Sequence, residues 1–139
     1  MPGPVWTIVV AAGSGSRFGG PKQFAPLGDR RVIDWACEHV AAVSDGVVLV
    51  VPPENAGSNT VAGGSTRAES VRRGLAAVPA DAHIVVVHDA ARPFAGAELF
   101  EAVIAAVRAG ADGAVPALPV ADTIKEVDAE GVVRATPER

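Results

Sequence analysis

Two cations stand in a glycine-rich segment near the start of the chain. Arg17 and Lys22 belong to the stretch AAGSGSRFGGPK, residues 11–22. Gly13 and Gly15 let the backbone approach a ligand closely and direct its N–H groups at phosphate oxygens. Because the segment follows a buried apolar run, it predicts a flexible anion-binding loop. A mobile surface loop with solvated basic residues is the alternative.

Two common phosphate-binding motifs do not fit this segment. A dinucleotide fingerprint needs a third glycine where Phe18 stands. A Walker A loop needs Gly-Lys followed by Ser or Thr, whereas the chain has Pro21-Lys22-Gln23. The segment is therefore a glycine-rich loop of another kind.

A second segment, GGSTRAES at residues 63–70, precedes a helix. Its paired glycines can expose backbone groups to a base or a phosphate at the helix N-terminus. Gly64 and Ser65 are the candidate contacts, and Ser70 adds a hydroxyl one turn into the helix. An ordinary helix start is the alternative interpretation.

The third segment is HDAARP, residues 88–93. An acid at the carboxyl end of a strand, here Asp89, is a frequent ligand of Mg²⁺ or ribose. Arg92 is a candidate for bidentate phosphate recognition. The alternative is an Asp89–Arg92 ion pair that closes the turn. His88 is expected to be a hydrogen-bonded structural residue rather than a catalyst.

The elements that must position these segments alternate between strand and helix. Nearly continuous apolar runs predict strands that are covered on both faces. The predicted strands are residues 5–10, 46–51, 84–87 and 113–120, and the predicted helices are residues 32–43, 97–109 and one that opens with a Thr66–Glu69 capping box. This order predicts an α/β, Rossmann-like fold with a mostly parallel sheet and helices on both faces.

The three chemical segments fall at one place in such a fold. Ligands of an open parallel sheet bind beyond the carboxyl ends of its strands. Loops 11–24, 62–66 and 88–93 all leave or adjoin those ends. The sequence therefore predicts one site that is built from three loops.

The last stretch of the chain has a different pattern. Residues 123–127 and 132–135 flank Asp128-Ala129-Glu130-Gly131, which predicts an antiparallel hairpin. An isolated ribbon needs a surface on which to pack. We therefore expect a protruding arm at about residues 122–135 that contacts a second copy in a homodimer.

Composition limits the classes of protein. A chain of 139 residues predicts one domain, and a net charge of −4 argues against nucleic-acid or anionic-membrane binding. Its one cysteine, Cys37, excludes an internal disulfide, and the longest apolar run, Val47–Pro53, is too short to span a bilayer. A cytoplasmic protein is expected.

Four segments together carry a family resemblance. The stretches AAGSGSR…PKQ, GGSTRAESV, VHDAARPF and DTIK resemble, in order and spacing, the 2-C-methyl-D-erythritol 4-phosphate cytidylyltransferases of the non-mevalonate isoprenoid pathway. Ribitol-phosphate cytidylyltransferases share these segments. The resemblance implies a nucleotidyltransferase that uses CTP, a sugar-alcohol phosphate and Mg²⁺. Transfer to ribitol 5-phosphate or another sugar phosphate, or an inactive nucleotide-binding fragment, remain alternatives.

The resemblance also implies roles for individual residues. Arg17 and Lys22 would stabilise the transition state on the CTP phosphates. Asp89 and Ala90 would lie near the ribose, with Asp89 as a metal ligand. The implied nucleotide contacts are Ala11, Ala12, Gly13, Gly15, Gly64, Ser65 and Ser70, and the implied contacts to the sugar phosphate are Arg92, Thr123 and Arg139.

The chain departs from the family pattern at three points. Val10 stands where the family often has proline, and Arg17 and Lys22 are only five positions apart, closer than in many members. Members also continue beyond the position of Arg139. We therefore expect the chain to lack the C-terminal third of the family's nucleotidyltransferase domain.

Overall fold

The computed structural model describes residues 3–16 and 18–138. The strands are Val5–Val10 (β1), Pro26–Leu27 (β2), Arg30–Arg31 (β3), Gly46–Val51 (β4), Val61–Ala62 (β5), Ile84–Asp89 (β6), Glu126–Val127 (β7) and Val133–Ala135 (β8). The α-helices are Val32–Ala41 (α1), Arg67–Ala76 (α2) and Ala97–Arg108 (α3), and short 3-10 helices cover Lys22–Phe24 and Pro53–Asn55. In the described part of the chain, no helix is long and apolar enough to cross a membrane.

A four-stranded parallel sheet lies at the centre, in the order β5-β4-β1-β6. Val10 of β1 is opposite Val50 of β4 on one side and Asp89 of β6 on the other. The strands therefore end at nearly the same level. The predicted α/β class with a mainly parallel sheet is confirmed.

Helices cover both faces of this sheet. On one face, α1 and α3 pack against β1 through residues such as Ala36 and Phe100. On the other face, α2 approaches so closely that a methyl group on Gly74 would lie 2.6 Å from Ile8 Cγ2. Ile8 is fully buried. Both faces of β1 are thus covered, which explains its continuous apolar run.

The strand predicted at residues 113–120 is wrong. No strand forms there, and Val115 and Leu118 are 84% and 90% exposed. An apolar run becomes a strand only when a neighbour completes its hydrogen-bond ladder. β6 is the edge of the sheet, and among the described residues nothing pairs with its outer side.

Other predicted bounds also shift. The predicted loop at residues 11–24 ends in a 3-10 helix, and a small ladder in which β2 pairs with β3 follows it. The indole N–H of Trp35 in α1 donates to the Leu27 carbonyl at 2.9 Å, so this ladder is held against the helix. The stripe expected to run to Val43 ends as a helix at Ala41.

The predicted hairpin is present but short. β7 and β8 pair antiparallel with an irregular register. Asp128 fixes the turn, because its carboxylate accepts from the backbone N–H of Glu130 and Val132 and pairs with Arg134. The hairpin strands are exposed along their whole length.

Candidate functional site

The three loops begin side by side at the carboxyl edge of the sheet. The first residue after each strand still bonds to a neighbouring strand: Ala11 N donates to Val50 O at 2.7 Å, and Ala90 N donates to Val10 O at 3.0 Å. Gly63, after β5, donates to Val51 O at 2.8 Å. The predicted convergence of the loops follows directly from this ladder.

The first loop folds back on itself around Gly15. The backbone N–H groups of Phe18 and Gly20 both approach the Gly15 carbonyl, at 2.8 and 3.2 Å. Gly15 has φ +64°, and a Cβ there would overlap the Gly20 carbonyl oxygen. Only glycine fits this turn. Gly13, in contrast, is exposed, with open space beside its Cα.

A buried amide fastens the far end of this loop to its start. Gln23 is only 6% exposed, and its Nε2 donates to the carbonyls of Ala11 at 2.7 Å and Gly13 at 2.9 Å. Lys22, the preceding residue, is exposed, and its ammonium lies 5.8 Å from the centre of the Phe18 ring. Arg17 lies outside the described residues, so its predicted role stays a prediction.

The second loop carries its own hydrogen-bond network. The Ser70 hydroxyl accepts from Gly64 N–H and donates to the Thr66 carbonyl, each at 3.0 Å, and Ser70 is 2% exposed. Its hydroxyl therefore shapes the loop from inside. The predicted cap is confirmed in part: Thr66 Oγ1 accepts from Glu69 N–H at 3.1 Å.

The Glu69 carboxylate accepts hydrogen bonds from Ser65 rather than from the Thr66 backbone N–H, as a full capping box would require. Glu69 Oε2 accepts from the backbone N–H of Ser65 at 2.8 Å and from its hydroxyl at 2.9 Å. Glu69 Oε1 pairs with Arg73 at 2.6 Å. The Ser65 N–H bond is the main reason why the pKa of Glu69 lies below its ordinary value.

The first and second loops are in close contact. Gly63 is buried, and a methyl group on it would lie 2.2 Å from the Ala12 Cβ. Arg73 reinforces this position, because its guanidinium donates to the Gly63 carbonyl at 2.9 Å. Ala12 and Gly63 therefore bring the two loops side by side, whereas Ala11 and Ser70, two of the predicted nucleotide contacts, are buried.

The third loop is joined to the second by an ion pair. Arg67 Nε donates to Asp89 Oδ1 at 2.9 Å, from the first residue of α2 to the last residue of β6. The alternative of an Asp89–Arg92 ion pair is wrong. The two residues meet instead through the backbone, where Arg92 N–H donates to the Asp89 carbonyl at 3.0 Å. Ala90 is fully buried.

His88 faces inward beside the third loop. It is 5% exposed and packs edge to face on Phe100, with ring centres 5.0 Å apart. Burial lowers the pKa of the imidazole, so the neutral form is favoured. His88 is thus packed in the interior as expected, but its buried Nε2 has no hydrogen-bond partner among the described residues.

Asp89 could be a protein ligand of Mg²⁺ only if substrate phosphates and water supply most of the other ligands. Among the described residues, no group of three or more His, Cys, Asp or Glu side chains is placed to hold a metal. Mg²⁺ often uses one or two carboxylates together with substrate phosphates and water. The Asp89 side chain is 36% exposed, pairs with Arg67 and lies beside the glycine-rich loop that is predicted to bind anions, so it could supply one such carboxylate.

A groove continues from the site along the open edge of β6. Arg67, His88, Asp89 and Arg92 line its end nearest the loops. Thr123 does not line this groove and is exposed in the segment before β7. Arg139 lies outside the described residues. The predicted roles of both in binding the sugar phosphate stay predictions.

Sequence reasoning missed two residues that organise the site. Gln23 carries no periodic signal that would mark it as buried. Arg67 carries a different, electrostatic signal. A cation at the first residue of a helix is unfavourable for the helix dipole, and a nearby anion would offset that cost. Asp89 is that anion.

Comparisons with known proteins agree with this arrangement. The family model for IspD, 2-C-methyl-D-erythritol 4-phosphate cytidylyltransferase, matches residues 5–139. Relatives with that name are 45% identical in Rhodococcus opacus over 150 residues and 42% identical in Nocardia farcinica over 152 residues. Each alignment covers 99% of this chain and 66% of the relative, so the chain spans slightly less than two thirds of these curated relatives.

Solved structures give the same result. The 4-diphosphocytidyl-2C-methyl-D-erythritol synthase of Anaerococcus prevotii superposes with a TM-score of 0.81 at 30% identity, covering 98% of this chain and 65% of the other. The Thermus thermophilus 2-C-methyl-D-erythritol 4-phosphate cytidylyltransferase gives 0.70 at 33% identity, covering 94% and 62%. The resemblance found in the sequence is confirmed, and the chain belongs to the 2-C-methyl-D-erythritol 4-phosphate cytidylyltransferase family.

Proposed function

We propose that this chain provides the nucleotide site of a cytidylyltransferase. The reaction joins CTP and 2-C-methyl-D-erythritol 4-phosphate, gives the CDP-linked methylerythritol and releases pyrophosphate, for isoprenoid precursor synthesis. Family membership supports the reaction. The structural observation that supports it best is the glycine-rich loop: the two hydrogen bonds of Gln23 hold the end of the loop that carries Lys22 against Ala11 and Gly13, just after β1.

The residues match what the chemistry requires. A phosphate monoester has a second pKa near 6, so at pH 7 it is already mostly a dianion and needs no general base. A phosphate oxygen of the acceptor forms a bond to the α-phosphorus of CTP. The bond between that phosphorus and the oxygen that bridges to the β-phosphate breaks, and pyrophosphate leaves. The main obstacle is negative charge, which calls for cations and backbone N–H groups rather than a catalytic base.

Each loop has its own part in this proposal. Lys22, together with Arg17, neutralises charge on the triphosphate. The nucleotide contacts are Ala11, Ala12, Gly13, Gly15, Gly64, Ser65, Ser70, Asp89 and Ala90. Arg92 binds the acceptor phosphate, with Thr123 and Arg139 as further contacts. Asp89 would hold Mg²⁺, which when bound neutralises charge on the phosphates.

The exposed arm supports a homodimer in this proposal. Residues 126–127 and 133–135 form a two-stranded ribbon with Val127 and Val133 more than half exposed. A symmetric partner would cover that ribbon and bring Thr123 near the neighbouring site. Light scattering tests this directly. A cytoplasmic location, and the absence of nucleic-acid and membrane partners, stay predictions from composition.

Pyrophosphate release tests the reaction. The protein is supplied with CTP and Mg²⁺ and with 2-C-methyl-D-erythritol 4-phosphate, ribitol 5-phosphate or no acceptor. We expect release only with the first acceptor. Release with ribitol 5-phosphate alone would identify a different cytidylyltransferase. Binding of CTP without release from any acceptor would indicate a nucleotide-binding module.

A further inference from the structure

We propose that Gln23 is a positioning residue that holds Lys22 at a fixed place beside the nucleotide segment of residues 11–13. This inference deepens the proposed function and rests on it. Gln23 is not in the set of expected nucleotide contacts. Its role is to act through its neighbour.

The Gln23 side chain joins two parts of the loop that are distant in sequence. Its amide nitrogen donates to the Ala11 carbonyl at 2.7 Å and to the Gly13 carbonyl at 2.9 Å. Both N–H donors of the amide are thereby used, and the side chain is 6% exposed. A buried amide that loses such partners is destabilised, so the loop is favoured in the one conformation that satisfies it.

The backbone hydrogen bonds around Lys22 fix the main-chain position from which its side chain extends. Lys22 is the first residue of the 3-10 helix that contains Gln23. Phe24 N–H donates to Pro21 O and Ala25 N–H donates to Lys22 O, each at 3.1 Å. Lys22 itself is exposed, so its own side chain has little packing that could fix the position of its backbone. The buried neighbour supplies the anchor that the lysine lacks.

Small displacements matter at such a site. A shift of about 1 Å in a charged group that acts on the reacting phosphates can lower a rate by about a hundredfold. The Ala11 and Gly13 carbonyls accept from Gln23 while the same segment is the expected nucleotide contact. One side chain therefore sets the distance between the loop cation and the nucleotide.

A double-mutant cycle in CTP binding tests this inference without relying on turnover. Isothermal titration calorimetry with CTP and Mg²⁺ compares the unaltered chain, Lys22→Ala, Gln23→Met and the double variant. Methionine keeps the length and volume of glutamine but donates no hydrogen bond. Thr7→Val is the matched control, because Thr7 is fully buried in β1 and bonds to Ser44 at 2.6 Å, away from the loops.

We expect Lys22→Ala and Gln23→Met each to weaken CTP binding by about tenfold. The double variant should lie within about twofold of Lys22→Ala, because a residue that acts through Lys22 has nothing left to position. Thr7→Val should lower the melting temperature with CTP affinity unchanged. If Gln23→Met does not fold, Gln23→Asn takes its place, since it keeps a buried amide that is one methylene too short.

Two outcomes overturn the positioning role: unchanged CTP affinity in Gln23→Met, or losses that multiply in the double variant. Failure of the unaltered chain to bind CTP would instead overturn the proposed function. The two failures are therefore distinguishable within one set of titrations.

Discussion

Residues 5–108 and residues 109–138 are both rich in apolar side chains, but only the first region buries them. Every buried apolar residue among those described lies between Val5 and Ile104. In the second region Leu118 is 90% exposed and Ile124 46% exposed. Local hydrophobicity is therefore not enough to form a strand in this chain. Burial needs a neighbouring strand and a covering helix, which β1 has and residues 113–120 lack.

The same contrast separates the parts of the candidate site. The three loops of the candidate site belong to the packed region. Gln23 closes the first loop on itself, the Gly63–Ala12 contact joins the first loop to the second, and the Arg67–Asp89 pair joins the second to the third. Thr123 belongs to the exposed region. The three loops are thus held by contacts within the packed region, whereas Thr123 is exposed.

The largest expected difference between the two regions is in the free energy of unfolding after one apolar side chain is truncated in each. Ile8→Ala should lower the free energy of unfolding by about 2–5 kcal/mol, because it leaves a cavity between the sheet and α2. Leu118→Ala should change it by less than about 0.5 kcal/mol, because Leu118 is already in water. Urea unfolding measures both. Equal losses would mean that the second region is packed in solution.

Removing the loop cation should damage function without damaging the packed region. In a full-length protein, Lys22→Ala should lower kcat by roughly a hundredfold or more, the scale of losing one preorganised contact to developing charge. Its unfolding free energy should stay within about 0.5 kcal/mol of the unaltered protein, because Lys22 is exposed. Steady-state pyrophosphate assays and urea unfolding provide the two readouts. Near-normal turnover would remove Lys22 from the mechanism.

A methyl group added at Gly74 tests how tightly α2 covers the sheet. Alanine at 74 would bring its Cβ to 2.6 Å from Ile8 and 2.9 Å from Val50. Overpacking costs about 1–3 kcal/mol and alanine recovers up to about 1 kcal/mol of helix propensity, so we expect a net loss of about 1 kcal/mol. Arg72→Ala on the exposed side of α2 is the control. A more stable Gly74→Ala would show a looser contact.

The smallest expected effect is on acid stability. The pKa of Glu69 is lowered, chiefly by Ser65, so its ionised form stabilises the folded chain above the ordinary glutamate pKa of about 4.3. That contribution is lost as the pH falls through the folded value. Melting temperatures measured from pH 7 to pH 3 should therefore fall less steeply in Glu69→Gln. Identical slopes would show that the Ser65 bonds do not persist in solution.

Sequence patterns predicted the packed region well. Its three long strands, β1, β4 and β6, are mainly continuous apolar runs, and the helices show apolar stripes, so the signal for these elements is local. The error at residues 113–120 has a physical cause. Whether an apolar run becomes a strand depends on a partner for its hydrogen bonds, and no pattern within the run itself records that partner.

The sequence predicted where the candidate site lies in the fold, but it did not predict the hydrogen bonds and ion pairs within the site. The rule that ligands bind at the carboxyl ends of parallel strands located all three loops. The role of Gln23 could not be predicted, because a buried amide donating to two backbone carbonyls leaves no periodicity. The actual partner of Asp89 was missed because Arg67 is 22 positions away along the chain.

The most direct test of the account is the affinity of the 139-residue chain for CTP and for UTP, measured by calorimetry with Mg²⁺. The two nucleotides differ in the donor and acceptor groups at position 4 of the base, and a site that hydrogen-bonds one edge rejects the other strongly. We predict measurable CTP binding and UTP binding at least tenfold weaker. Equal affinities, or no binding of CTP, would contradict the claim that the packed region forms a cytidine-nucleotide site.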